Sequence, residues 1–332
     1  MSTRSKTLRE LAHRLRRAQP VSKNRQRLIE SSAGAFTSAP KVEGKRLAIR
    51  RVSDRLRVAT TQPHLAVEAV DPATSVQFIQ DRLNRRMAAP VPGDDDATAI
   101  ARQPWYHSIA LPDGTVTAGA FDHRDLVPFY GIPDDLSGCR VLDVASADGY
   151  WSFEFERRGG EVTALDIDST DDVDLPRQAR SHATRTGVSD SLVDGFDLAH
   201  RLLDSKVKRV AGSVYDLDPD QLGSFDMVHS GDLLVHLRDP NLALQKIRAM
   251  TRGFALLSDA IDPSLDEAAG GAGLVRYLGG RNTAGWWLPS LTTLAQMVSD
   301  AGFARVEVIN IYSLALRSDT VGPWRVVLRA EP

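Results

Sequence analysis

The chain has 332 residues and a net charge of −2, and its hydrophobic (42%) and charged (25%) fractions are typical of a globular α/β domain with one additional segment. No run approaches the roughly 18 apolar residues of a membrane span, and a single cysteine excludes an intramolecular disulfide. With no apolar core of a secretory signal at the N-terminus, these features predict a cytoplasmic protein.

The charge is divided unevenly along the chain. Residues 1–57 carry 16 Lys/Arg against 4 Asp/Glu, which leaves 25 against 39 for the remainder. A basic arm of this kind binds RNA or another anionic surface, or it packs against the acidic body of its own or a neighbouring subunit in a homo-oligomer. Phe36 is the only aromatic residue in the arm, which weakens the case for base stacking. Both alternatives stay open.

Residues 1–100 are predicted to form a basic, mainly helical region. Leucines spaced by three and four residues predict an amphipathic helix over 7–19. A second helix is predicted over 71–87, where Asp71 can cap the first turn and Pro72 suits its start. The stretch "PVPGDDDATAI" reads as a linker.

Residues 101–137 are predicted to form a hairpin and linker that packs on the active site. The segment "QPWYHSIALPDGTVTAGAFD" has a first predicted strand with alternating apolar residues at Ile109 and Leu111. A Pro-Asp-Gly turn and a second predicted strand centred on Val116 follow it.

Residues 138–332 alternate between strand and helix patterns. Strands are predicted at "RVLDVA", "EVTALDI", "VKRVAGSV", "FDMVHS", "GFALLSDA", "RVEVINIY" and "PWRVVLRA", with helices at 149–158, near 193–204, at 240–251 and at 290–301. This alternation predicts a mostly parallel sheet with helices on both faces. Because no helix separates the last two strands, they are expected to pair antiparallel.

The stretch "VLDVASADGYWSFE" is the first place to look for a ligand, because ligands of such sheets bind beyond the carboxyl ends of the strands. Asp143 ends the apolar strand, and the loop that follows contains small residues that let a ligand approach the backbone. Gly149 stands where a positive φ is wanted.

A second carboxylate follows the next strand, "EVTALDID". Asp166 lies 23 residues after Asp143, at the position where an acidic residue can hold two ribose hydroxyls. Two carboxylates repel a pyrophosphate but attract a ligand with an ammonium and a sulfonium group. The pair therefore favours S-adenosylmethionine over a dinucleotide.

From Trp105 to its end, the chain resembles class I S-adenosylmethionine-dependent methyltransferases, in the branch related to tRNA wobble-uridine carboxymethyltransferases. The resemblance rests on "PWYHSIALPDGTVTAGAFD", "DLSGCRVLDVASADGYWSFEFERRG", "VTALDID", "FDMVHSGDLLVHLRDP" and "WWLPSLTTLAQMVSDAGF". It implies a Rossmann-like methyltransferase fold, with a mostly parallel seven-stranded sheet and an antiparallel last strand.

The resemblance also implies which residues bind the cofactor. Ala145 and Ala147 stand at the first two glycines of the family loop, and Gly149 matches the third. Asp166 is implied to hold the ribose. The full implied set is Asp143, Ala145, Ser146, Ala147, Gly149, Asp166 and Ile167, with Ser213 and Val214 at the adenine and Ser230 and Gly231 at the methionine portion.

Methyl transfer needs a base only if the acceptor begins protonated. The candidates are His107, Asp232 and His236, with His123 as a further histidine. Asp232 and His236 are four residues apart at a predicted helix start, where they suit a base and its orienting partner. Alternatively they form half of a metal site, or His236 only pins the loop. No metal is predicted, because Val235 stands where metal-using relatives have a second carboxylate.

The acceptor is expected to meet two segments. One contains Trp105 and Tyr106, which either wall the sulfonium or seal the hairpin against the core. The other is the Gly-rich insert with Arg276, Tyr277, Arg281 and Trp286, either a lid over the acceptor or an ordinary surface excursion.

The predicted function is methylation of an O or N nucleophile on a small or conjugated metabolite. A tRNA-modifying methyltransferase or carboxymethyltransferase is the alternative enzyme. Carboxymethyl transfer is disfavoured by Val235, which replaces a Tyr of those relatives, although Arg281 and Asn282 match their Arg-Asn pair. A non-catalytic cofactor-binding module is the third hypothesis, since two loop glycines are replaced by alanine.

Overall fold

The computed structural model describes residues 58–60, 93, 95–169, 172–176, 193–268, 273–279, 285–314 and 322–332. The helices predicted at 7–19 and 71–87 and the residue Arg281 lie outside these ranges.

Ten strands, seven α-helices and three short 3₁₀ helices are present in this part of the chain. The strands are β1 (Val58–Thr60), β2 (Arg140–Val144), β3 (Glu161–Asp166), β4 (Lys208–Ala211), β5 (Phe225–Gly231), β6 (Thr251–Ile261), β7 (Val275–Tyr277), β8 (Trp287–Pro289), β9 (Arg305–Ser313) and β10 (Trp324–Glu331). The helices are α1 (Asp96–Arg102), α2 (Tyr150–Arg157), α3 (Asp194–Leu202), α4 (Pro219–Leu222), α5 (Pro240–Met250), α6 (Pro263–Ala268) and α7 (Leu291–Asp300).

The main sheet has the strand order β1-β9-β10-β6-β5-β2-β3-β4. Strand β10 runs antiparallel to both of its neighbours, β6 and β9, whereas the other pairs are parallel. The seven predicted strands and the antiparallel last strand are therefore confirmed. The three-residue edge strand β1 comes from the region that was predicted to be mainly helical.

Strand register brings several loops to one edge of the sheet. Val144 in β2 pairs with Leu165 in β3 and with Ser230 in β5. The residues that follow these three strands consequently lie next to one another, at the switch point where a ligand of a parallel sheet binds.

Helix α2 begins directly after Gly149, which has a φ of +87°. A Cβ at this position would lie 2.5 Å from the ring of Phe153 and 2.9 Å from that of Phe196. Both the backbone conformation and the close packing therefore require glycine. Tyr150 and Trp151, in the first turn of α2, are buried, as expected for residues that support the loop.

The hairpin predicted within 101–137 is reduced to isolated bridges. Ala110 pairs with Val116 around the Pro-Asp-Gly turn, and His107 pairs with Phe121. A Cβ on Gly119 would lie 2.0 Å from the carbonyl carbon of His107. The chain does fold back at this turn, since the N–H of Leu111 donates to the carbonyl of Thr115 at 2.8 Å and the N–H of Thr117 to that of Ile109 at 2.9 Å. The prediction of regular strands was wrong here.

The boundary predicted between residues 100 and 101 falls inside α1. No helix among the described ranges is both long and apolar enough to cross a membrane.

Candidate functional site

A cavity of about 430 Å³ opens at the carboxyl ends of the parallel strands. Six of the predicted site residues line it: Ala145, Asp166, Ile167, Ser213, Val214 and His236. Its wall is completed by apolar side chains such as Val144, Leu165 and Leu242, and by Asp172, Asp174, Arg238 and Asp239. Over the ranges described above, the cavity is thus a largely apolar cleft with four carboxylates at its walls.

Asp166 ends β3 and faces this cavity. Its Oδ2 accepts the backbone N–H of Ala147 at 2.7 Å, and its Oδ1 accepts the N–H of Ile167 at 2.8 Å. Burial raises the pKa of this carboxyl to about 6, although both backbone hydrogen bonds and Arg209 oppose the shift. At neutral pH Asp166 is therefore an ionised acceptor beside the loop.

The loop between β2 and α2 has a backbone conformation typical of glycine, although alanine stands at two of its three glycine positions. Ala145 has a φ of 62° and Ala147 a φ of 51°, both in the left-handed region. An L-residue in this region costs roughly 1–2 kcal/mol. The alanines therefore keep the backbone conformation expected of glycine, at a cost in strain.

The position predicted for the Asp143 side chain was wrong. Asp143 is 1% exposed and is not among the residues that line the cavity. Its Oδ1 lies 2.7 Å from Nδ1 of His229, and its Oδ2 accepts the hydroxyl of Ser152 at 2.5 Å. The carboxylate therefore ties β2 to β5 and α2 beneath the loop, because its partners lie inside the core rather than at the mouth of the cavity.

Two serines at this edge have buried hydroxyls without a partner among the described residues. Ser146 follows Ala145 in the loop, and Ser230 lies in β5 opposite Val144; each is 3% exposed. Buried polar groups in proteins almost always have a hydrogen-bond partner. Each hydroxyl is therefore available to bond to a ligand or to water.

Ser213 and Val214 stand at the end of β4. The Ser213 hydroxyl accepts the N–H of Tyr215 at 3.2 Å and caps the short turn Val214–Asp216. This cap places both predicted adenine-side residues on the wall of the cavity.

The predicted pairing of Asp232 with His236 on one helix face was wrong. Asp232 precedes the helical turn Leu234–His236 and has a φ of 51°. Both of its carboxylate oxygens lie 2.7 Å from Nε of the buried Arg325. The ion pair with Arg325 thus occupies the carboxylate that was expected to orient His236. Within the described ranges, no group of three or more His, Cys, Asp or Glu side chains is placed to hold a metal ion.

Trp105, Tyr106 and His107 lie against the loop. Trp105 is 4% exposed and its indole N–H donates to the carbonyl of Ile100 at 2.9 Å, which is a packing role. Asp148, in the loop itself, accepts the backbone N–H groups of Tyr106 and His107 on Oδ2 and contacts Nδ1 of His107 through Oδ1. The segment predicted to pack on the active site is therefore joined to the loop by one carboxylate.

A clasp closes one side of the cavity, and we define it as Asp174, Tyr215, Arg238 and Trp286. Asp174 accepts the backbone N–H of Arg238 at 2.7 Å and the hydroxyl of Tyr215 at 3.0 Å. The indole N–H of Trp286 donates to the Asp174 carbonyl at 2.5 Å, and the Arg238 guanidinium lies 5.1 Å from the Trp286 ring. Trp286, predicted to contact the acceptor, thus joins segments beside the cavity.

The Gly-rich insert contains a short antiparallel ribbon formed by β7 and β8. Arg276 pairs with Asp262, and Tyr277 is 53% exposed with its ring 4.9 Å from that of Trp287. The structure brings neither Arg276 nor Tyr277 to the wall of the 430 Å³ cavity. Their acceptor-binding roles stay predictions.

Sequence reasoning missed three charged residues that shape this region, namely Asp148, Asp174 and Arg325. Asp148 lies within the quoted loop, and its acidity was the available signal. The other two are distant in sequence from their partners, and no local pattern marks them.

The sheet order and the cleft at the carboxyl ends of the parallel strands define a Rossmann-like protein. Residues 115–308, more than half of the chain, match the family described as "Methyltransferase domain". The chain belongs to this methyltransferase family, and the predicted Rossmann-like methyltransferase fold is confirmed.

Two curated relatives share part of the sequence. The ubiquinone biosynthesis O-methyltransferase of Xanthomonas euvesicatoria pv. vesicatoria (strain 85-10) is 31% identical over 118 residues, 36% of this chain and 41% of the relative. The magnesium-protoporphyrin O-methyltransferase of Rhodobacter capsulatus is 31% identical over 112 residues, 33% and 39% of the two chains. The chain thus spans about two fifths of the length of these relatives.

A solved structure, the N-terminal domain of EvdMO1 in the presence of SAH and D-fucose, aligns with a TM-score of 0.45 and 18% identity. The alignment covers 72% of this chain and 97% of that one.

Proposed function

We propose that this protein transfers a methyl group from S-adenosylmethionine to an O or N nucleophile of a small or conjugated metabolite. The observation that carries the proposal is the cleft in which Asp166, Ser213 and Val214 line one wall beside the loop that begins at Ala145. An acidic residue at the end of β3, the strand that follows the ligand loop and α2, suits two ribose hydroxyls. Ile167 and Val214 supply apolar contacts for an adenine.

The charges of the cleft support this cofactor. Among the described residues, the lining includes four carboxylates and one arginine, Arg238, which pairs with Asp174. A cationic nucleoside is favoured there over a nucleotide, whose phosphates the carboxylates repel.

The hydroxyls of Ser146 and Ser230, for which the described part of the chain offers no partner, fit the polar methionine portion, next to Gly231. When bound, the cofactor supplies an electrophilic methyl group, and the electron pair of the broken carbon–sulfur bond stays on sulfur. The protein holds the nucleophile in line with that methyl group.

The names of the curated relatives favour a small acceptor. Both are O-methyltransferases, one of ubiquinone biosynthesis and one of magnesium-protoporphyrin. Because the chain spans about two fifths of those proteins, we infer from them the class of acceptor and not its identity. The predicted contacts of Tyr106, Arg276 and Tyr277 with the acceptor belong to this proposal.

Calorimetry with S-adenosylmethionine and S-adenosylhomocysteine tests the cofactor site. We expect the wild type to bind both and Asp166→Ala to bind at least tenfold more weakly. A metabolite extract incubated with labelled methyl donor then identifies the acceptor. If the wild type bound neither cofactor, methyl transfer would be excluded; if Asp166→Ala labelled the extract as well as the wild type, the ribose position would be wrong.

A tRNA-modifying methyltransferase of the wobble-uridine branch is the second candidate, and the basic residues of the arm at 1–57 favour it. Binding of bulk tRNA that weakens steeply with salt would support this candidate. A variant beginning at residue 58 is the matched control. Unchanged tRNA binding by that variant, or none by the full chain at low salt, would contradict it.

A non-catalytic cofactor-binding module is distinguished by the same screen, because it binds the cofactor and labels nothing. A cytoplasmic location and a homo-oligomeric assembly stay predictions.

A further inference from the structure

Asp148 and His107 form a buried pair outside the cofactor cleft. Oδ1 of Asp148 lies 2.5 Å from Nδ1 of His107, and the two residues are 4% and 5% exposed. Oδ2 of the same carboxylate accepts the backbone N–H groups of Tyr106 at 2.7 Å and of His107 at 2.9 Å. Through these contacts, the carboxylate fixes both the backbone and the ring of His107.

A carboxylate has no proton to donate, so the shared hydrogen of a neutral His107 lies on Nδ1. This leaves the lone pair of the imidazole on Nε2. Histidines that act as bases or bind metals are commonly oriented in this way by a carboxylate on the other nitrogen.

The pair is one peptide unit away from the cofactor cleft. Ala147, the residue before Asp148, donates its N–H to Asp166 on the cavity wall. The loop is therefore held on one side by the predicted ribose residue and on the other by the contact with His107.

A second buried histidine lies beside His107. The ring of His123 lies 5.1 Å from that of His107, is 3% exposed, and its Nδ1 has no hydrogen-bond partner among the described residues. Burial, with nearby His107, Arg325 and His229, holds the pKa of His123 well below its usual value. His123 is therefore neutral and offers a hydrogen-bonding nitrogen rather than a charge.

Tyr106 and Tyr150 complete the surroundings of His107, with ring centroids at 4.7 Å and 5.5 Å. Among the described residues around the ring, Asp148 is the side chain whose carboxylate is bonded to it.

We propose that Asp148 is a positioning residue that holds His107 protonated at Nδ1, so that Nε2 accepts the proton of the nucleophile to be methylated. The inference rests on the proposed function. The O–H or N–H bond of the acceptor breaks, its proton bonds to Nε2, and its electron pair stays on the attacking atom. The imidazolium then releases the proton to water.

Nitrogen-15 NMR of the eight histidines tests the positioning without any acceptor. Long-range proton–nitrogen correlations, with His107 assigned through His107→Gln, are expected to show a protonated Nδ1 and an unprotonated Nε2 at pH 7.5. In Asp148→Asn the amide oxygen can keep the two backbone hydrogen bonds while its NH₂ donates to Nδ1. The proton is then expected on Nε2. A wild-type His107 protonated at Nε2 or at both nitrogens overturns the proposal, as does an unchanged tautomer in Asp148→Asn.

Catalysis is measured separately from cofactor binding. We expect Asp148→Asn to keep its melting temperature and to bind S-adenosylhomocysteine within about twofold of the wild type. With the acceptor found in the labelled extract, kcat is expected to fall by about 10²–10⁴, the usual contribution of a positioned base. Asp122→Asn, an exposed carboxylate on the same segment, is the matched control and should leave kcat unchanged.

If Asp148→Asn keeps a wild-type kcat, the proposed role of Nε2 is wrong even though the cofactor binds. If instead no cofactor binds to the wild type, the proposed function fails, and the tautomer measurement still reports on Asp148. Should Asp148→Asn unfold, His107→Gln provides the same kcat comparison, and a wild-type rate in that variant overturns the proposal.

Discussion

The carboxylate of Asp166 and the backbone N–H of Ala147 are joined by a 2.7 Å hydrogen bond, so the residue proposed to hold the ribose also holds the loop. Ala147 is one of two alanines at positive φ in that loop. Cofactor affinity and loop conformation are therefore linked through a single side chain, and this link can be tested by pH and by substitution.

Cofactor affinity is expected to fall as the pH drops below about 6. Burial raises the pKa of Asp166 to about 6, so the free protein takes up a proton there and loses the charged acceptor for the ribose hydroxyls. The dissociation constant should then rise by up to tenfold per pH unit, as for any ligand that requires one deprotonated group. Calorimetry between pH 5 and 8 measures this dependence. Asp166→Asn should bind weakly at every pH, and a wild-type dissociation constant that stays flat to pH 5 would contradict the prediction.

Replacing the loop alanines by glycine is expected to stabilise the fold. An alanine at left-handed φ costs the folded state roughly 1–2 kcal/mol. A glycine at the same position makes the unfolded chain more flexible, which lowers stability by about 0.4–1 kcal/mol. Ala145→Gly and Ala147→Gly should each gain about 0.5 kcal/mol in the free energy of unfolding, measured in urea. Ala199→Gly, at a buried position inside helix α3, is the control and should lose more than about 1 kcal/mol, because packing is lost as well as helix propensity. Equal losses in all three variants would show that the loop alanines are not strained.

Gly149→Ala is expected to destabilise the fold strongly. The new Cβ would overlap the rings of Phe153 and Phe196, and its φ of +87° is unfavourable for alanine. We expect a loss of about 2–3 kcal/mol in the free energy of unfolding, together with weaker cofactor binding. Gly138→Ala also has a positive φ but no atom within 4 Å of its Cβ. Gly138→Ala therefore measures the cost of the backbone conformation alone. An equal loss of stability in both variants would rule out overlap with the two phenylalanine rings as the cause.

Opening the clasp is expected to speed cofactor release. The Tyr215 hydroxyl donates to Asp174 and accepts the backbone N–H of Asp239, both at 3.0 Å. Burial raises the pKa of Tyr215 to about 12, so this hydroxyl stays protonated at neutral pH. Tyr215→Phe removes both hydrogen bonds at a cost of about 1 kcal/mol, which corresponds to a release rate about fivefold higher. Stopped-flow fluorescence of the tryptophans measures that rate.

Thr115→Val, which removes a hydroxyl hydrogen bond in the exposed hairpin turn, is the control for that measurement and should leave the release rate unchanged. A release rate that Tyr215→Phe does not alter would mean that the cofactor leaves without the clasp opening.

The sequence by itself determined the alternation of strands and helices and the position of the ligand loop. Apolar runs such as "RVLDV" and "EVTALD" have few alternatives to buried parallel strands, because they are short, β-branched and followed by turn residues. Placing Asp166 and Gly149 required only the order of these runs. The two carboxylates favoured S-adenosylmethionine, and the family resemblance implied the same cofactor.

Only the tertiary structure decided how the acidic residues are used. Asp166 is the last residue of β3, whereas Asp143 is followed by Val144 within β2, and Asp143 is buried against His229 while Asp166 faces the cleft. Side chains alternate between the two faces of a strand, and which face or edge is covered depends on elements distant in sequence. The same reason explains Asp232, whose partner Arg325 lies 93 residues away, and the left-handed φ of Ala145 and Ala147, which sequence statistics assign to glycine.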